Sequence, residues 1–158
     1  MYDGVRYEIH GKEVQGMIQP IIYEDLESLR LLYEELIGEA GDLSQMESVF
    51  RQMKSNSAYH LLGYKKDGEL LGSVMGVICH DLVGTCRPFM VVENVIVSAK
   101  AQGMGAGKKL MQALEQLANE NDCLYIMFCS SSYRKDAHRF YESLGYKLDE
   151  VQGFRKML

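Results

Sequence analysis

Leu26, Leu29, Tyr33, Leu36 and Ile37 recur at three- and four-residue intervals, which predicts an amphipathic helix over residues 23–37, ended by Gly38. The mostly apolar residues 17–22 before it read as a short strand. Met46, Val49, Phe50 and Met53 share one helical face and predict a second helix over 44–54, with Ser44 as its N-cap. Two β-rich runs follow at 58–64 and 70–79, joined by Asp67-Gly68, a pair suited to a two-residue hairpin turn. Gly72 and Gly76 interrupt the second run and mark it for a bulge. After a loop at 80–88, residues 89–97 are apolar and β-branched and read as a buried strand. A glycine-rich turn at 103–107 opens a helix whose stripe is Leu110, Met111, Leu114, Leu117 and Ala118. Residues 124–129 read as another buried strand. Asp136 then caps a helix carrying Ala137, Phe140, Tyr141 and Leu144, stopped by Gly145, and strands at 146–150 and 154–157 close the chain. This order predicts an α/β fold, a mixed sheet of about six to seven strands with helices on both faces.

Composition narrows the class. A chain of 158 residues, 47% hydrophobic and 25% charged, suits one globular domain, with residues 1–16 as an added strand or a loose N-terminal extension. No apolar run approaches the roughly 18 residues that span a bilayer. The N-terminus carries Asp3, Arg6 and Glu8 without an apolar core, so it is not a signal peptide, and a cytoplasmic protein is expected. Cys79, Cys86, Cys123 and Cys129 lack CxxC spacing, which argues against a metal site. Cys79, Cys123 and Cys129 lie in apolar stretches and read as small core residues, as do Met75, Met90 and Met127. A net charge of -5 speaks against nucleic acid and is compatible with a cationic substrate.

The segment VENVIVSAKAQGMGAGKKLM, residues 92–111, carries the chemistry: a strand feeds a turn with Gly103, Gly105 and Gly107, and the turn opens a helix. The first N–H groups of a helix lack internal partners and face the positive end of the macrodipole, so an anion can bind there. Glycines let it approach the backbone, and a bound phosphate offsets the cost of Lys108 and Lys109 in the first turn. The bland alternative is a solvated glycine-rich connection. A P-loop fails, because Gln102 stands where its first glycine belongs and Lys109 where its Ser or Thr belongs. A dinucleotide fingerprint starting at Gly103 fails at Lys108.

What the turn does resemble is the acyl-CoA loop Q/R-x-x-G-x-G/A of the GNAT superfamily of N-acetyltransferases, here Gln102, Gly105 and Gly107. The stretch DAHRFYESLGY, residues 136–146, is similar to the family's A-x-x-F-Y-x-x-x-G-F/Y helix and strand, and the resemblance covers about residues 17–158. It implies acetyl-CoA as co-substrate and a primary amine as acceptor, attacked directly in a ternary complex without a metal. The turn residues Gln102, Gly103, Met104, Gly105, Ala106, Gly107 and Lys108 would hold the pyrophosphate, and the backbone of Val95, Ile96 and Val97 the pantetheine arm. Arg134 stands where the family often has asparagine; it meets CoA phosphates or belongs to a solvated basic turn with Lys135.

Glu93 interrupts an apolar strand. Buried, its carboxylate would be desolvated toward the range of a general base; otherwise it is ion-paired or lies at an exposed strand end. Tyr141 is either core or, as the resemblance implies, the acid that protonates the leaving thiolate. His138 is expected on the helix surface, and Cys129 has no evident histidine partner, so no cysteine acyl-enzyme is expected. The acceptor is read as a small molecule. A protein lysine or N-terminus as acceptor, a non-catalytic acyl-CoA sensor, and a homodimer stay open. No nucleic-acid or membrane partner is expected.

Overall fold

The computed structural model describes residues 16–158, so residues 1–15 of the expected extension lie outside the described residues. The chain divides into two compact units, Met1–Met127 and Phe128–Leu158.

The first unit holds a five-stranded sheet in the order β1-β2-β3-β4-β5, formed by Met17–Pro20, Tyr59–Lys66, Glu69–Cys79, Phe89–Val97 and Ile126–Met127. The first four strands are antiparallel in sequence, and β5 runs parallel to β4, which makes the sheet mixed. The hairpin turn forms as its sequence dictates: Asp67 and Gly68 both take positive φ, 52° and 80°. Gly38, at φ 78°, ends helix α1 (Leu26–Ile37). Helix α2 (Leu43–Lys54) is capped by Asp42 rather than Ser44, its carboxylate accepting from Gln45 N at 2.9 Å.

Side-chain alternation gives the sheet two covered faces. On one, Ile21, Leu26, Leu29, Leu32, Phe50 and Leu70 form a core with α1 and α2, joined by Tyr33, Leu61 and Ile96. On the other lies helix α3 (Ala106–Glu120), whose Leu110, Met111 and Leu114 have no exposed surface. Gly72 and Gly76 of β3 serve this contact. A Cβ on Gly76 would stand 2.9 Å from Leu114 Cδ2, and one on Gly72 3.0 Å from the Ile96 carbonyl. Gly76 thus makes room for a helix and marks no bulge. One register shift does fall beside Gly72, where Leu71 is extra; the other falls on the β4 side, between Ser73 and Met75.

The second unit contains helix α4 (Lys135–Ser143). It starts one residue before Asp136, so Asp136 sits inside the first turn, paired with Arg139, and caps nothing. Phe128, Phe140, Tyr141 and Tyr146 pack their rings in tilted and edge-on pairs at centroid distances of 4.5 to 6.4 Å. Residues 146–150 and 154–157 form no strand among the described residues, and the strand expected at 124–129 shrinks to Ile126–Met127. That leaves five strands rather than six to seven, because apolar residues without a ladder partner do not make a strand. Cys129 and Met127 are exposed rather than core, whereas Cys123 and Met90 are buried. Among the described residues, no helix is long and apolar enough to cross a membrane, and no group of three or more His, Cys, Asp or Glu is placed to hold a metal ion.

Candidate active site

Strand β4 is irregular where the candidate base sits. Met75 lies opposite Glu93 and Ser73 opposite Ile96, so the single residue Val74 faces two, Asn94 and Val95. The extra residue is a bulge, and Asn94 absorbs it at φ 55°. Asparagine tolerates this left-handed conformation better than most residues with a side chain. The polar pair Glu93-Asn94 within an apolar strand was the available signal for it. Both side chains are exposed, so the burial argument for Glu93 fails. Among the described residues Glu93 is in no ion pair, which also removes its expected Lys or Arg partner. The carboxylate stands exposed beside the bulge. Beside it, the Tyr33 hydroxyl of α1 reaches toward Ser73 and Asn94. Burial pushes that phenol's pKa up, and the two neighbours oppose the shift. Ser73 Oγ is fully buried and makes no hydrogen bond of good geometry.

The other edge of β4 is largely unpaired. Strand β5 meets only Met90 and Val91, so along Val95, Ile96 and Val97 the edge away from β3 carries no ladder partner among the described residues. A row of backbone donors and acceptors is left there for another extended chain.

The glycine turn follows directly. Ser98 caps a 3₁₀ turn, Ala99–Ala101, and Ala101 is fully buried. Gln102, Gly103, Met104 and Gly105 are exposed, with Gly103 and Gly105 at φ 78° and 74°. Ala106 is buried again and begins α3. Lys109 N donates to Gly105 O at 3.0 Å, so the amides of Ala106, Gly107 and Lys108 precede the helical ladder. Nothing lies within 4 Å of a Cβ placed on Gly103 or Gly105. The protein leaves that side of the turn open. The two lysines divide: Lys109 Nζ sits 5.6 Å from the centre of the Tyr64 ring, and Lys108 is exposed.

In the second unit, Tyr141 is buried among the rings of Phe128, Phe140 and Tyr146. Burial pushes its phenol above the ordinary value, and the charge of Arg134 opposes that shift. The group therefore keeps its proton at neutral pH and feels a nearby cation. Arg134 is exposed at the N-cap position, just before α4 begins. His138, expected on the surface, is buried, and its Nε2 meets Ser131 O at 3.0 Å. With a carbonyl as partner Nε2 is the donor, and Nδ1 on the other side of the ring is buried with no hydrogen-bond partner.

Comparison with known proteins agrees with this fold. A family model described as Acetyltransferase (GNAT) family matches residues 24–146. The uncharacterized N-acetyltransferase YhfO of Bacillus subtilis (strain 168) is 24% identical over 117 residues, 74% of this chain and 78% of that protein. The structure of an acetyltransferase from Agrobacterium tumefaciens superposes with a TM-score of 0.83 at 22% identity, covering 89% of this chain and 99% of that one. The structure of AAC(6')-Iy in complex with the bisubstrate analogue CoA-S-monomethyl-acetylneamine gives a TM-score of 0.76 at 20% identity, covering 91% and 99%. At such identities the solved structures establish a shared fold.

Proposed function

The chain belongs to the acetyltransferase (GNAT) family, and from that premise we propose that it moves an acetyl group from acetyl-CoA to a primary amine on a small molecule, as one cytoplasmic domain. The observation that carries this reading is the turn at 102–108. It is exposed, has two left-handed glycines, and presents amides that precede the ladder of a 15-residue helix. A pyrophosphate needs donors of this kind in a backbone it can approach closely. The unpaired edge of β4 at Val95, Ile96 and Val97 supports the pantetheine assignment, since an arm with amides can extend a sheet edge.

Acetyl-CoA supplies the activated thioester. Glu93, exposed at the bulge, takes a proton from the attacking amine, directly or through water. Tyr141 gives its phenolic proton to the departing sulfur, and the raised pKa keeps that proton available. Arg134 and Lys108, both exposed, supply positive charge for the phosphates. The analogue bound to AAC(6')-Iy joins CoA to an acetylneamine, a small molecule, and the acceptor proposed here is of that class.

Thiol release from acetyl-CoA over polyamines, amino acids, amino sugars, aminoglycosides and peptides tests the reading. One amine in the panel should support turnover. On it, Glu93→Gln and Tyr141→Phe should each lower kcat about tenfold or more while the melting temperature stays put. Release with peptides alone would move the acceptor to protein. Acetyl-CoA binding without release on any amine would make the chain a sensor. Full activity in both variants would remove the two residues from the chemistry.

A further inference from the structure

The corner between β4 and the turn is held from a distant helix. Ser98 ends the β3–β4 ladder, its N donating to Leu71 O at 2.9 Å, and it caps the 3₁₀ turn that leads into Gln102. Two donors at this corner need acceptors: the Ser98 hydroxyl, on a residue only 4% exposed, and the Ala99 amide in the first turn, where no internal partner exists. Both are met by one side chain. Glu35, near the end of α1, accepts from Ser98 Oγ with Oε1 at 3.2 Å and from Ala99 N with Oε2 at 3.4 Å. Both bonds are at the long end of the range, so their effect comes from converging on one carboxylate. Ser98 Oγ in turn accepts from Lys100 N, and Ala101 N donates to Ser98 O at 2.9 Å. The corner's own cation does not need Glu35, because Lys100 Nζ is already paired with Glu69 at 2.7 Å.

We propose that Glu35 is a positioning residue for the acyl-CoA turn: through Ser98 and Ala99 it ties α1 to the corner from which residues 102–108 leave the sheet. This rests on the acyl-CoA reading of that turn. The charge points the same way. A carboxylate next to a stretch that receives phosphates repels them, so its presence there is accounted for by what it holds and not by ligand contact. Downstream, buried Ala106 anchors the turn on α3; upstream, Ala101 and the Glu35 bridge anchor it on the sheet and α1. The exposed residues between are left with few conformations to lose on binding.

The test uses Glu35→Ala and Glu35→Gln, with melting temperature, amide hydrogen exchange, CoA titration and acetyl-CoA kinetics on each. Glu35→Ala should melt close to wild type, exchange faster over residues 99–108 but not over the β2–β3 hairpin, bind CoA about tenfold more weakly, and raise KM for acetyl-CoA with little change in kcat. Glu35→Gln, which keeps one acceptor, should fall between. Unchanged exchange over 99–108, or CoA bound as tightly as by wild type, overturns the proposal. Faster exchange spread over the whole chain overturns it too, because Glu35 would then support the fold at large. If wild type itself binds no CoA, the acyl-CoA reading fails, and the exchange pattern alone decides whether Glu35 holds the corner.

Discussion

In the first unit, Leu110, Met111, Leu114, Val74 and Met90 are sealed between α3 and the sheet with no exposed surface. In the second, Val151, Phe154 and Met157 stand 76%, 93% and 79% exposed, and burial is confined to His138 and Tyr141 on α4. The two regions have similar apolar residues. They differ in what those residues have to pack against. A β-strand of the first unit finds a ladder on one or both edges and a helix on its face, and each contact supports the next. The segment after Tyr146 has no ladder and no face, and its side chains gain little from leaving the coil. Cooperativity, more than hydrophobicity per residue, decides which stretches become core.

The contrast can be broken at three points. Leu114→Ala opens a void beneath Gly76 and should cost about 2–5 kcal/mol of unfolding free energy, read as a lower urea midpoint with an unchanged slope. A loss below about 1 kcal/mol would mean that α3 and the sheet can collapse into the gap.

A smaller effect concerns acid and β2 alone. Burial holds the His60 pKa below its ordinary value, and its Nε2 is buried without a partner. Above about pH 6.5 the ring is neutral in both the folded and unfolded chains and contributes no pH dependence. As pH falls below that, the unfolded chain takes the proton first, so stability drops until the folded ring titrates as well. The slope cannot exceed about 1.4 kcal/mol per pH unit. Urea midpoints at pH 7.5 and 5.5 should diverge in wild type and converge in His60→Leu. Equal divergence in the variant would assign the acid sensitivity elsewhere.

The smallest effect is expected from Phe154→Ser, a change of stability within about 0.5 kcal/mol despite the loss of a whole aromatic ring. A larger loss would show that the tail is packed in solution.

Most of the first unit was legible in the sequence. The 3.6-residue period of α3, the Asp67-Gly68 turn and the length of β4 are local signals, and strand 89–97 forms at the bounds its pattern predicts. The glycine turn, as the corner that opens α3, was legible because its residues are consecutive in the chain. The rest depends on partners far away in the chain. Glu93 reads as buried only if β4 is regular, and the bulge at Asn94 turns it to solvent. Glu35 lies 63 residues before Ser98, and no period or motif connects them. His138 reads as a surface residue until Ser131 O is found beside its ring. The closing strands failed for the same reason, since a strand's second half, its neighbour, is never in its own sequence.

The bulge in β4 has a consequence for how this chain behaves in a crowd of its own copies. A strand with one bare edge invites a second chain to zip onto it, and a β-branched run such as Val95, Ile96 and Val97 would make an attractive seam for fibrils. Asn94 spoils the seam at its start. Its left-handed turn puts the hydrogen-bonding groups before and after it out of step, so a straight incoming strand can register with one side or the other but not with both. Only the short stretch beyond the bulge stays available, too brief to hold a stray copy.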